Sequence, residues 1–166
     1  MIIFKINNFY LIIIFIYIFL SIFNPVNGQD IKVIDGDTIH LDGEKIRFSG
    51  IDTPESYYRG KRQQCAFDKV KVFCGYWSKI VLIEKIGNNK VTCIKEDEPD
   101  RFNRILAECF VNNESLSKYL VRSGYAFAFR RYSKKFVEDE EFAKANKLGL
   151  WQTEFQFPWD FRKNPK

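Results

Sequence analysis

Between residues 31 and 48, apolar and polar positions alternate in short runs broken by turn residues. Ile31-Lys32-Val33-Ile34 and Thr38-Ile39-His40-Leu41 flank Asp35-Gly36-Asp37, and Asp42-Gly43 leads into Lys45-Ile46-Arg47-Phe48. Short strands joined by tight turns are expected there. The pattern breaks at Pro54, and the polar stretch to residue 75 reads as loop. Helical spacing follows over residues 75–86, with Tyr76, Ile80 and Ile83 on one side and Gly87 as the stop. Two further strands, residues 90–95 and 104–111, surround the turn Glu96-Asp97-Glu98-Pro99-Asp100. A second helix is expected near residues 114–123, with Leu116, Tyr119 and Leu120 inward and Gly124 as cap. A third, near 135–148, has weak periodicity, and its Glu138-Asp139-Glu140-Glu141 reads as a solvated face favourable to the helix start. This order fits an α+β, mainly β domain: a five-stranded OB-fold barrel with about three helices.

The first residues do not belong to that pattern. Lys5 precedes an apolar run over residues 9–20, and Val26-Asn27-Gly28 offers the small residues a signal peptidase reads. Residues 1–28 are therefore expected to be a secretory signal peptide, and residues 29–166 the domain, secreted or periplasmic. The alternative is an uncleaved membrane anchor, which requires residues 2–23 to be counted through Lys5, Asn7 and Asn8. Membrane association is expected only in that case. Without Lys5 the net charge of +5 becomes +4, a basic balance that attracts polyanions without identifying one. Arg59, Lys61, Arg62, Arg130 and Arg131 either steer such a polyanion or are ordinary solvated charges.

Cys65, Cys74, Cys93 and Cys109 are an even set in an exported chain, which reads as two disulfides. Cys93 and Cys109 lie where they can face each other across a strand pair, and Cys65 and Cys74 would close a short loop. A zinc site is the competing reading, but there is no C-x-x-C pair and His40 is remote. Trp77, Trp151 and Trp159 read as packing groups.

Three separated stretches supply acids and arginines: Asp35-Gly36-Asp37-Thr38, Arg47 with Asp52-Thr53-Pro54-Glu55, and Asp100-Arg101-Phe102-Asn103-Arg104. Singly, each has a bland explanation as a turn, a loop cap or a surface pair. Together they match what phosphodiester hydrolysis requires. Negative charge grows on the phosphate as water attacks, so cationic donors must already be in place. Arg47 and Arg104 have the planar, permanently charged fork suited to it. Asp37, Asp52 and the Thr53 carbonyl offer the oxygen ligands calcium prefers, and Glu55 is a carboxylate able to accept a proton from water.

In order and spacing these stretches resemble the staphylococcal nuclease family, and the likeness extends through Leu120-Val121-Arg122-Ser123-Gly124-Tyr125-Ala126 to Gly149-Leu150-Trp151. The resemblance implies an OB barrel with three helices and a calcium-dependent, sequence-nonspecific nuclease acting on DNA and RNA. It implies that Asp37, Asp52 and Thr53 hold Ca2+, that Arg47 and Arg104 bind phosphate, and that Glu55 is the general base. Asp35 corresponds to an outer-shell metal acid and Tyr132 to a tyrosine near the substrate phosphate. Phe102 and Arg130 stand where the family's best-known member has tyrosines, both near the expected nucleotide pocket. The cysteines and the ending Pro158-Trp159-Asp160-Phe161-Arg162 are similar to exported Gram-negative members. No stable protein partner is implied, and a monomer is expected. Competing readings are an inert nucleic-acid-binding OB module and an envelope protein using the fold for other contacts.

Overall fold

The computed structural model describes residues 28–165. The expected signal peptide, apart from Gly28, lies outside the described residues. Among those described, no helix is long and apolar enough to cross a membrane.

The opening strands form as the alternation predicts. β1 (Ile31–Asp35), β2 (Thr38–Leu41) and β3 (Glu44–Phe48) pair antiparallel in succession. The short β4 (Ile51–Asp52) follows. The stretch expected to be loop then contains a hairpin, β5 (Gln64–Phe67) with β6 (Val70–Phe73). Its apolar Phe67, Val70 and Phe73 are exposed rather than turned to a core, and the Cys65–Cys74 disulfide ties its base to the start of the next helix, so no alternating stripe marked it. That helix, α1 (Cys74–Ile86), leads to β7 (Val91–Lys95) and β8 (Ile105–Val111). β8 pairs antiparallel with β7 and parallel with β3, giving the sheet order β1-β2-β3-β8-β7. The little strand β9 (Glu114–Ser115) adds to β8. Among the described residues no ladder joins β1 to β7; instead the Gln29 amide donates to the Val91 carbonyl (2.7 Å) and accepts from its N–H (2.8 Å).

The remaining elements are α2 (Leu116–Arg122), β10 (Phe127–Ala128), α3 (Val137–Ala145), a 3-10 turn (Gly149–Gln152) and α4 (Pro158–Lys163). The described residues thus hold four α-helices rather than about three. α4 is only six residues long and starts at a proline, too short for a periodic signal.

Three local readings change. The inward face of α1 is Ser78, Leu82 and Ile86, whereas Tyr76 and Ile83 are exposed. The acids of α3 are not all solvated: Glu140 is buried, accepts from the Ala128 N–H (2.8 Å) and pairs with Arg130, while Asp139 pairs with Arg122. β9 takes the first two residues assigned to the second helix, and Ser115 caps that helix by accepting from the Lys118 N–H.

The main core lies between the sheet, α1 and α2, with Ile39, Ile46, Leu82, Leu116 and Leu120 fully enclosed. A second cluster gathers Phe127, Leu150, Trp151, Phe155, Phe157 and Trp159 around the Cys65–Cys74 pair. Phe157 and Trp159 stack at 4.6 Å, and Phe127 meets Phe157 edge-on at 5.0 Å. This aromatic layer seats the C-terminal segment, and Ala66 adds a two-way backbone bridge to Glu154.

Cys93 and Cys109 are register partners and are disulfide-bonded, closing a separation of 16 residues. Closing such a loop in the unfolded chain stabilises by about 3 kcal/mol. The double variant Cys93→Ala/Cys109→Ala is therefore expected to lose about that much in urea unfolding, and peptide mapping without reductant to show Cys93 linked to Cys109. Free thiols in protein prepared without reductant would contradict the pairing.

Candidate active site

Two glycines let the acidic segments meet. A Cβ on Gly36, in the β1–β2 turn, would lie 2.7 Å from the Ser78 Cβ and 3.0 Å from the Thr53 hydroxyl. A Cβ on Gly75, at the start of α1, would lie 2.3 Å from the Glu55 carbonyl. Only glycine permits both approaches. The turn holding Asp37 is thereby pressed against Thr53, and the backbone of Glu55 against α1.

Arg47 on β3 joins the two inner aspartates. Its guanidinium pairs with Asp37, bonds Asp52 Oδ1 at 2.8 Å and donates to the Ile51 carbonyl at 3.0 Å. Asp37 also accepts from the Thr53 N–H (3.0 Å), the Thr53 hydroxyl (2.9 Å) and the Thr38 hydroxyl (2.9 Å). Asp52, opposite Phe127 in the β4–β10 pair, is completely enclosed. Asp35 accepts from the Ser56 hydroxyl (2.7 Å) and the Gly36 N–H (2.9 Å).

A residue with no assigned role in the sequence completes the cluster. Arg162 of α4 donates to Glu55 Oε1 at 2.6 Å and Asp52 Oδ1 at 3.2 Å, and its other nitrogen pairs with Asp52 Oδ2. Gln63, fully buried, accepts from the Glu55 N–H at 3.0 Å, donates its own N–H to the Glu55 carbonyl at 3.1 Å, and reaches the Gln156 carbonyl at 2.6 Å. Gln63 thus ties the Glu55 loop to the segment bearing Arg162. The sequence signal for Arg162 was the aromatic-rich ending Pro158-Trp159-Asp160-Phe161, which marks a docked tail; Gln63 gave none.

Electrostatics reflect the crowding. Burial, reinforced by Asp37 and Glu55, pushes the Asp35 carboxyl up to about 7. Burial also raises Asp52 and Glu55, against the opposing pull of Arg47 and Arg162 on Asp52 and of Arg162 on Glu55. Burial alone would lower Arg47, but Asp37 and Asp52 outweigh it and raise it. Arg162 is likewise held charged, its burial outweighed by Asp52 and Glu55.

Arg104 is not drawn into this cluster. Its Nε donates to Asp100 Oδ2 at 2.7 Å, and its guanidinium lies 5.4 Å from the Phe102 ring. It immediately precedes β8, two residues ahead of Leu106, the register partner of Arg47, and so stands beside the strand that carries Arg47. The hydrogen bonds from Arg104 outweigh desolvation and hold the Asp100 carboxyl below its ordinary range. Arg130 is taken by Glu140 and Glu141 (3.0 Å to the latter). Tyr132 is 68% exposed and packs one side on Phe129 at 5.0 Å.

Asp35, Asp37, Asp52 and Glu55 set four formal negative charges against the two positive charges of Arg47 and Arg162. The donors are all oxygen, the chemistry of a hard divalent cation, and a charge of +2 would balance the cluster. Among the described residues no three His, Cys, Asp or Glu side chains surround a common ion position, because the guanidiniums stand between the acids.

An α+β domain with a six-stranded sheet and an acid–arginine cluster built on its central strand β3 defines a narrow class. The model of the staphylococcal nuclease homologue family matches residues 45–153, and the chain belongs to that family. The match contains Arg47, Asp52, Thr53, Glu55 and Arg104, whereas Asp35, Asp37 and Arg162 lie beyond its ends. The chain is 32% identical over 149 residues to an uncharacterized protein of Methanocaldococcus jannaschii, covering 75% of this chain and 70% of that protein. It is 27% identical to an uncharacterized endonuclease of Escherichia coli, covering 92% of this chain and 96% of the relative. A probable staphylococcal-like nuclease of Oryza sativa is 30% identical over 84% of this chain, which spans only 34% of that plant protein.

Asp35 yields a prediction. Its carboxyl is raised from 3.8 unfolded to about 7 folded, so the fold favours its neutral form. Its contribution is fully present below the unfolded value and is lost as pH rises through the folded one. In metal-free protein, Asp35→Asn should therefore melt higher than the parent at a pH of about 8, with the gap narrowing towards pH about 4. A variant that melts no higher at the upper pH would contradict the crowding.

Proposed function

We propose that this protein is an exported, calcium-dependent nuclease that hydrolyses phosphodiester bonds in DNA and RNA without sequence selectivity. Family membership supports nuclease chemistry in general terms. The observation that carries the finer reading is the continuous chain Asp37–Arg47–Asp52–Arg162–Glu55, which joins the acids and Arg47 of residues 37–55 to a cation more than a hundred residues further on.

Asp37, Asp52 and the Thr53 carbonyl hold calcium, with Asp35 supporting from outside, and the ion supplies Lewis acidity and offsets phosphate charge. Glu55 is the general base. Arg162 holds one of its oxygens, and among the described residues the other accepts no hydrogen bond, leaving it to orient water and take its proton. Arg47 donates to the phosphate oxygens as their charge grows. Arg104 serves the same purpose after exchanging Asp100 for phosphate, so Asp100 holds it in place until substrate arrives. Phosphate contacts read no sequence, which accounts for the broad substrate range. Tyr132 presents an exposed ring on which a base can stack, and Arg130 lies two residues away, restrained by α3. Both disulfides suit an oxidising, secreted or periplasmic setting.

The hold of Asp100 on Arg104 favours one second reading, an inert module that binds nucleic acid without cutting it. Purified residues 29–166 with plasmid and RNA separate the two. Cleavage is expected with calcium and not with chelator. Glu55→Gln should lower kcat by about 10²- to 10⁴-fold, the range of general-base loss. Binding without cleavage in any divalent cation would establish the inert module.

A further inference from the structure

The excess positive charge of the domain is concentrated in one place. Residues 28–166 carry 25 Lys and Arg against 21 Asp and Glu. Within residues 57–73 alone, Arg59, Lys61, Arg62, Lys69 and Lys71 face the single acid Asp68. That stretch therefore holds a net +4, the same as the whole domain, and the rest is balanced. All five cations are exposed.

Apolar surface accompanies the charge. Tyr57 is 66% and Phe73 42% exposed, and the Arg62 guanidinium lies 5.3 Å from the Phe73 ring centre. Tyr57, Lys61, Arg62 and Phe73 line a groove of about 470 Å³. The lobe is firmly held, since its hairpin is laddered, disulfide-tied at the base and bridged to Glu154. It is also joined to the site, because Gln63 within it brackets the backbone of Glu55.

We propose that this lobe is a docking surface for the single-stranded polynucleotide flanking the scissile phosphate, an inference that rests on the nuclease reading. The lysines and arginines take backbone phosphates, and Tyr57 and Phe73 offer faces on which bases stack without sequence preference. An anionic membrane would meet the same charge, but a groove lined by Tyr57, two residues along the chain from Glu55, and tied to Glu55 through Gln63 suits a strand continuing from the site better than a planar surface.

The test uses residues 29–166 and the variants Arg59→Gln/Lys61→Gln/Arg62→Gln and Lys69→Gln/Lys71→Gln, each checked for intact disulfides and parental melting temperature. Affinity for a fluorescent single-stranded 20-mer is measured in chelator over a range of salt, alongside hydrolysis of a chromogenic mononucleotide phosphodiester too short to reach the lobe. The triple variant should bind the 20-mer about 10-fold or more weakly at low salt, with its salt slope reduced by about 2, from about 0.7 per lost phosphate contact. Hydrolysis of the short substrate should stay within about 2-fold of the parent. The double variant, at the hairpin turn and on β6 beside Phe73, should shift affinity and slope in the same direction, so the outcome does not depend on one substitution set. Unchanged 20-mer affinity and slope in both variants would overturn the proposal, as would equal losses on both substrates. Parental 20-mer binding with lost binding to phosphatidylserine–phosphatidylcholine vesicles would assign the lobe to membranes instead. Parent protein that cleaves neither substrate would overturn the nuclease reading, while the 20-mer affinities still judge the lobe.

Discussion

Asp52 is cut off from water, and an ionised carboxylate in that position requires cations in direct contact. Arg47 comes from β3, the strand that precedes it in the chain, and Arg162 from the last helix. Removing either would leave a buried charge short of a partner, a loss of about 3–5 kcal/mol in comparable sites. The pairing sets the position of everything around it: Arg47 carries the constraint to Asp37, and Arg162 carries it to Glu55.

This makes the C-terminal segment part of the site. Its seating depends on the aromatic layer around Phe127 and on the bridge to the β5–β6 hairpin. That hairpin in turn depends on the Cys65–Cys74 disulfide. The aromatic residues and the disulfide therefore act on the acid–arginine cluster through position: they fix where one guanidinium can reach. The opposing tendency is carboxylate repulsion, visible in the raised Asp35. Two arginines against four acids leave the cluster negative, ready for a divalent cation or for the arginines to be shared with a phosphate.

The five principal strands, α1 and α2 were legible because alternation and helical spacing are properties of neighbouring residues. The Cys93–Cys109 pair was legible for the same reason, since antiparallel register follows from the turn between the strands. What escaped depended on distant contacts. The β5–β6 hairpin is held by a disulfide and leaves Phe67, Val70 and Phe73 exposed, so its apolar residues mark no inward stripe. The face of α1 was misjudged because Gly75 and Ser78, small residues with no apolar signal, make the closest approach. Glu140 looked solvated until β10 offered its Ala128 N–H. Asp37, Arg47, Asp52 and Glu55 could be named from their spacing, but not that Arg162 would bind two of them across more than a hundred residues. Nor could the sequence show that Arg104 would be held by Asp100.

The central claim is that Arg162 and a divalent cation share one carboxylate, Asp52. Calcium titration calorimetry on the parent and on Arg162→Gln tests it without reference to catalysis. One ion per chain is expected in both. Affinity should be about 3-fold tighter or more in the variant, because a competing charge has been removed from Asp52. Equal or weaker calcium binding after that substitution would contradict the account.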